Sequence, residues 1–355
     1  MKKKILKQPT IPIEVKPEKN IDKLIEEMSL TAFQGRKLAE VVEVWGRMLQ
    51  EKEIVIWLGL AGAMIPAGMR KILGYLIRKR MLDVIVTTGA NMYHDLFEAM
   101  GGKHYIGSHF SNDIDLKKLR IDRMYDVFAD ENKFYKLDMW IEENFCSQLK
   151  DDYQYSSREI LQILGQILYE ETKHSESVLS AAYYHKVPIF SPAICDSAIG
   201  FSIMFANRRK KRNIILNSLK DIDESSLVTE KAKKSGVVYV GGGIPKNFIQ
   251  QTAVIAKYQT GHDKGHDYAV QMTTDMPMWG GLSGSTLEEG QSWGKIDKKA
   301  HKATCYVDAT IALPLVAHAL SDRFKEIQRK GPIFKWKKGL HLNSKRNKKG
   351  SSCAP

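Results

Sequence analysis

Lys295 stands in the run GQSWGKIDKKAHKATCYVDA (290–309), directly behind Trp293 and Gly294. A lysine is a nucleophile only when its amine is uncharged. Burial against apolar or aromatic surface favours that form, because the ammonium loses its solvation. Trp293 offers such a surface. The other lysines of the run, Lys298, Lys299 and Lys302, lie in a polar, turn-like stretch and read as solvated charges. Spacing alone allows the same reading for Lys295, so a catalytic amine and a surface charge both stay open.

Other residues have the types for chemistry. TGHDKGHDYA (260–269) sets His262, Asp263, His266 and Asp267 close together, with the histidines at i and i+4. Such residues bind metals. Glycines flank the run and a strand follows, so a polar turn is the better reading and no metal is expected. Cys305 with His301, and Cys195 with Asp196, have the makings of nucleophile–base pairs. A lone cysteine in an apolar strand is ordinarily inert core. Turns at Gly59–Gly62, Thr88–Gly89 and Gly241–Gly243 follow apolar strands. Glycine lets the backbone approach a phosphate that a helix N-terminus then faces. None spells G-x-G-x-x-G, and each also fits a tight strand-to-helix turn.

The elements that must position these residues alternate. Helical period marks 35–51, 67–80, 158–171, 175–186 and 310–327, the last interrupted by Pro314. Apolar strands fall at 53–62, 82–91, 267–274 and 303–309, and 187–196 is a short strand followed by a loop. SGVVYVGGGIPKNFIQQTAVI (235–255) reads as a strand, three glycines and a helix. Strands without polar alternation are buried on both faces. With helices between them they predict an α/β fold, a doubly wound, mainly parallel sheet with helices on both faces. Strand ends rich in Gly, Thr and Asp then gather at one edge, where such sheets bind ligands.

Composition removes several classes. No apolar run reaches the ~18 residues a membrane helix needs, and the basic start MKKKILK leads into no signal-peptide core. Cys146, Cys195, Cys305 and Cys353 form no CxxC, which argues against a disulfide framework or an all-cysteine zinc site. A cytoplasmic chain without membrane contact is expected. The net charge of +13 is matched by four lysines in 1–13 and nine Lys/Arg in 329–355, segments without acids. The body between is formally neutral, so nucleic acid is an expected partner only through the tails. NRRKKR (207–212) reads as a solvated loop. The predicted organisation is a basic N-terminal tail (1–20), one central domain (21–328) and a basic C-terminal tail (329–355).

Taken in order, DVIVTTG (83–89), VPIFSPAICD (187–196), GGGIPKN (241–247), DYAV (267–270), EEGQSWGKI (288–296) and YVDAT (306–310) resemble the deoxyhypusine synthase family. The resemblance covers roughly 21–325. It implies a Rossmann-like fold, NAD as cofactor, and a homotetramer with active sites at a subunit interface. NAD takes a hydride from spermidine, 1,3-diaminopropane leaves, and an aminobutyl group passes through a lysine imine to an acceptor amine. That acceptor is a protein lysine in the parent enzyme and putrescine in homospermidine-forming relatives. By position, Lys295 is the nucleophile, Trp293 packs the amine chain and Glu289 contacts substrate. Thr88, Gly89, Asp196, Gly242, Thr274, Asp308 and Ala309 line NAD. The family's polar loop is GAMIP (62–66) here, which leaves only backbone contacts.

The departures concern the polyamine clamp. A glutamate pair of the family is Tyr93 and His94 here, two further acids are Phe201 and Leu282, and a histidine is Asn247. A buried ammonium needs a paired charge or several hydrogen bonds. Spermidine therefore cannot be held in the family's way. Neutral His94 and the Tyr93 ring face are the expected substitutes. The alternatives are homospermidine synthesis with putrescine as acceptor, or a silent NAD-binding relative.

Overall fold

The computed structural model describes residues 6–172, 176–281, 284–325, 329–336 and 340–343, the last three of these by backbone only. The central sheet has six strands: β1 (Ile54–Leu60), β2 (Val84–Thr87), β3 (Ile189–Phe190), β4 (Lys234–Val240), β5 (His266–Thr273) and β6 (Ile296–Tyr306). Their order is β6-β5-β4-β1-β2-β3, and every pairing is parallel. The doubly wound α/β expectation holds.

The reason lies in β1. Ile54, Ile56, Leu58 and Leu60 face one core, while Val55 and Trp57 face the other. With a side-chain period of two, a strand buried on both sides must be apolar throughout. The first core is closed by α1 (Phe33–Gln50), through Val41, Trp45 and Met48. On the second lie Val228 of the helix Ser218–Lys231 and Ile249 of the helix Gly243–Thr260.

Three expectations change. β6 begins at Ile296, so Lys298, Lys299 and Lys302 belong to a strand and not to a turn. Its register against β5 breaks between His266 and Tyr268. β6 is the sheet's edge and its first half leaves Lys298, Lys299 and His301 exposed, which hides the strand in a polar sequence. NRRKKR is not a loop: Asn207–Lys210 closes the helix Ala198–Lys210. Arg209 pairs with Glu142 at 3.0 Å and Arg212 with Asp151 at 2.8 Å. The chain after residue 328, read as a tail, returns to the body. Arg329 pairs with the buried Asp83 at 2.7 Å, and Ile333–Lys335 forms an antiparallel pair with His341–Asn343. Residues 344–355 of that tail lie outside the described residues, as do 1–5 of the N-terminal one. Among residues 6–20, the Ile11 N–H reaches the Leu30 carbonyl at 3.0 Å and Lys19 pairs with Glu27 at 2.5 Å. Among the described residues, no helix is long and apolar enough to cross a membrane.

Candidate active site

The parallel sheet brings the ends of its strands to one edge. After β2, Thr88 caps α2 (Gly89–Ala99), its hydroxyl accepting from the Asn91 N–H at 3.3 Å. A Cβ at Gly89 would strike Ser197, so the glycine permits close packing at that turn. After β4, Gly241 has φ +75° and Gly242 opens α3 (Gly243–Thr260) with no side-chain cap. The first amides of α3 are thus left to whatever sits at the sheet edge. After β6, Asp308 caps α4 (Ala309–Arg323), accepting from the Thr310 N–H at 2.7 Å. Thr274, Asp196 and Asp308 are exposed there. An uncapped helix start beside a glycine turn, with carboxylates within the same edge, fits a dinucleotide. Gly242 and Gly243 would meet its phosphates, and Asp308 and Asp196 its ribose hydroxyls.

Lys295 is held by a different set of contacts. The short helix α5 (Leu287–Ser292) starts at Thr286, whose hydroxyl accepts from the Glu289 N–H at 3.0 Å. Gly294 turns the chain with φ +69°, and a Cβ there would meet Asp263 Oδ1 at 2.7 Å. The Lys295 N–H then donates to the Gly290 carbonyl at 2.9 Å, and its carbonyl accepts from the His266 N–H at 3.0 Å. This fixes the lysine's main chain at the N-terminal end of β5, about 23 Å along that strand from the nucleotide edge at ~3.3 Å per residue. The amine lies 5.3 Å from the centre of the Trp293 ring. Lys295 is half-buried, Glu289 is exposed, and Trp293 is 63% exposed, so the indole faces outward.

The fully buried lysine is a different one. Lys246, in the first turn of α3, is 1% exposed. It donates to Gln271 Oε1 at 2.9 Å and to the Ser285 carbonyl. Burial pulls its ammonium down to about 8. Glu289 and Glu288 oppose that shift and Lys295 adds to it. Sequence reasoning passed over Lys246 because its partners stand 25 and 39 residues away. The only local signal was a lysine in the first turn of a helix that follows an apolar strand.

The clamp positions are occupied from within. Tyr93 is 7% exposed, donates to Asp138 Oδ1 at 2.7 Å and stacks on Phe134 at 5.5 Å. Burial and the Asp138 bond push its ionisation far up. A ring face, expected to meet an amine, is already engaged, and so is the hydroxyl. His94 lies 3.0 Å from His104, which lies 2.7 Å from Glu98. Burial, then the charge of His104, hold His94 down to about 4, so it is neutral at neutral pH. Phe201 and Asn247 are exposed, and Leu282 lies outside the described residues. Four strand spacings, ~19 Å, separate β2 from β6. Within one chain the Tyr93 region and the Lys295 main chain are therefore far apart.

The remaining candidates separate. Cys305 is buried, bonds the Gln34 carbonyl at 3.5 Å, and burial pushes its thiol up to about 11. His301 stacks on Tyr268 with ring centres 5.4 Å apart. Cys195 is exposed. His266 is buried with Nδ1 2.8 Å from Ser235 Oγ, Asp267 accepts from the Ser235 N–H at 2.8 Å, and Asp263 pairs with Lys257 at 3.0 Å. His262 lies on the exposed loop before β5. Among the described residues no three His, Cys, Asp or Glu side chains form a metal-binding group.

Comparison with known proteins places the chain among relatives. The family model "Deoxyhypusine synthase" matches residues 23–320. The chain is 49% identical over 328 residues to "Probable deoxyhypusine synthase 2" of Methanosarcina mazei, covering 92% of this chain and 94% of the relative. It is 50% identical over 308 residues to the protein of the same name from Archaeoglobus fulgidus, covering 86% and 99%. A crystal structure from Entamoeba histolytica that carries the deoxyhypusine synthase name superposes with a TM-score of 0.60 at 16% identity, over 90% of this chain and 98% of that one. This last likeness concerns the fold alone. The chain belongs to the deoxyhypusine synthase family.

Proposed function

We propose that this family member is an NAD-dependent transferase that moves the aminobutyl group of a spermidine-like polyamine to an acceptor amine through an imine on Lys295. The observation that carries the reading is the Lys295 amine lying 5.3 Å from the Trp293 ring centre, with Glu289 on the helix just before it. NAD, when bound, supplies a hydride acceptor for the carbon beside the secondary amine and later returns that hydride. The chain's own residues do the rest. Lys295, once deprotonated, adds to the oxidised carbon, and 1,3-diaminopropane leaves with the proton its nitrogen requires. The acceptor amine then displaces Lys295, which regains a free amine. Trp293 packs the alkyl chain, and Glu289 offers a carboxylate to an ammonium.

A second copy of the chain is part of this proposal. The Lys295 main chain and the glycine turns lie toward opposite ends of one sheet, which supports a site completed by a partner's nucleotide edge, shared between subunits of a homotetramer. Exposed Ile244, Met278, Trp279 and Trp293 provide apolar surface for such contact. The internal pairing of Tyr93 and His94 favours a second reading, in which a small amine such as putrescine is the acceptor and homospermidine the product.

The test is borohydride trapping with NAD and spermidine, with and without putrescine, followed by peptide mapping. The expected result is an adduct on Lys295, release of 1,3-diaminopropane, and neither in Lys295→Arg. Homospermidine formed with putrescine selects the second reading. NAD binding without adduct or diaminopropane would leave a silent relative and overturn the proposal.

A further inference from the structure

Lys246 is the one lysine among the described buried polar residues, and its contacts tie separate elements together. From the first turn of α3 it reaches Gln271 on β5 and the carbonyl of Ser285, two residues before α5 begins. No carboxylate touches it within ion-pairing distance among the described residues. Gln271 is fixed in turn, donating to the Gly241 carbonyl at 2.9 Å. The segment 285–295 is therefore fastened at both ends: Ser285 by the Lys246 ammonium, and Lys295 by the His266 N–H at 3.0 Å. Between the two anchors lie Glu289, Trp293 and the Lys295 amine.

We propose that Lys246 is a positioning residue for Lys295: its buried ammonium tethers the start of the Lys295-bearing segment to the central sheet, and loss of its proton loosens that tether. The inference deepens the proposed function and rests on it for its catalytic meaning. The charged and titratable groups around Lys246 are Glu288 and Glu289 on the α5 side, Lys295 beyond them, and Tyr239 on β4, whose ring centre is 5.8 Å away. The carboxylates favour the ammonium and Lys295 disfavours it, while burial outweighs both and brings the titration to about 8. An ammonium can donate to Gln271 and Ser285 and still carry charge. A neutral amine has two N–H groups and no charge to strengthen either bond, and charge-assisted bonds are about twice as strong as neutral ones.

Hydrogen–deuterium exchange on the substrate-free full chain tests this directly. Protection of the 285–295 amides, corrected for the intrinsic pH dependence of exchange, is measured from pH 7 to pH 9. The expected result is a several-fold loss of protection centred near the Lys246 titration, with amides of β1 unchanged. Lys246→Met is expected to show the low-protection state at every pH, and Lys246→Arg, charged throughout, to keep protection flat. In borohydride trapping, the alkaline limb of the wild-type rate should be missing from Lys246→Arg. Protection that is constant from pH 7 to pH 9 in the wild type overturns the proposal, even if a variant fails to fold. Failure of trapping with the exchange transition intact would instead remove the transferase reading and leave the tether.

Discussion

Buried histidine decides how this molecule meets acid. His266 is enclosed completely, and that burial holds its pKa down to about 4 from an ordinary 6.5. Between those values the unfolded chain takes up a proton that the folded chain refuses. The associated stability is thus complete above 6.5 and is lost as pH falls toward 4, an effect on the order of 3 kcal/mol. Asp221 works the other way. Burial raises it to about 6, so its contribution declines as pH rises from 3.8 to 6. Denaturant unfolding at pH 7 and pH 5 isolates His266 when wild type is compared with His266→Gln, because Asp221 is common to both. The variant should show a clearly smaller difference between the two pH values than the wild type, the remainder including His94, which burial also holds down to about 4. An equal difference in both proteins would remove His266 as its source. The same residue's N–H holds the Lys295 carbonyl, so acid should disturb the candidate site early.

Among the elements, Gly294 shows how an element end aims a side chain. It links α5 to β6 with φ +69°, and a Cβ there would press on Asp263, which is paired with Lys257. Gly294→Ala should cost about 1–2 kcal/mol, the usual penalty for a left-handed alanine, and should slow borohydride trapping at Lys295 by more than that loss of stability explains. An unchanged trapping rate would mean that the turn does not set the lysine's position. The strands were legible because two cores enforce apolar runs: Ile56 and Trp57 are neighbours in sequence and lie on opposite faces. β6 was not, because its first half lies at an exposed edge and is built from Lys298, Lys299 and Lys302. The surroundings of Tyr93 and His94 were hidden for another reason. Asp138 and His104 belong to no motif, and only the packing of the helix Glu131–Trp140 against α2 brings the first of them in. Lys246 was missed because lysine in a sequence reads as surface, and only contacts with Gln271 and Ser285 reveal a buried amine.

At the scale of the whole molecule, the C-terminal segment acts as a clamp across the sheet. Asp83, just before β2, is completely buried and accepts from the Ile56 N–H at 2.9 Å. Arg329 donates to both of its oxygens, at 2.9 and 2.7 Å, and also to the carbonyls of Arg80 at 2.8 Å and Ile54 at 2.7 Å. Arg80 adds a second ion pair at 3.1 Å. Farther on, Phe334 and Leu340 join the core that holds Val55 and Trp57, and Trp336 lies under Arg158 at 4.3 Å. A basic excess that looks like a free tail thus spends one of its charges inside the fold. Removing one partner of a buried pair typically costs 3–5 kcal/mol. Because Arg80 still faces Asp83, Arg329→Met should fall near the lower end, about 3 kcal/mol. Arg329→Lys should recover only part of this, since a single ammonium cannot span two carboxylate oxygens and two carbonyls at once. Lys335→Met, on the exposed side of the same segment, should change stability by less than about 0.5 kcal/mol. Thermal unfolding at one fixed protein concentration compares the three. If Arg329→Met melts with the wild type, the segment after residue 328 only rests on the body, and the sheet's lower edge is held by Arg80 alone.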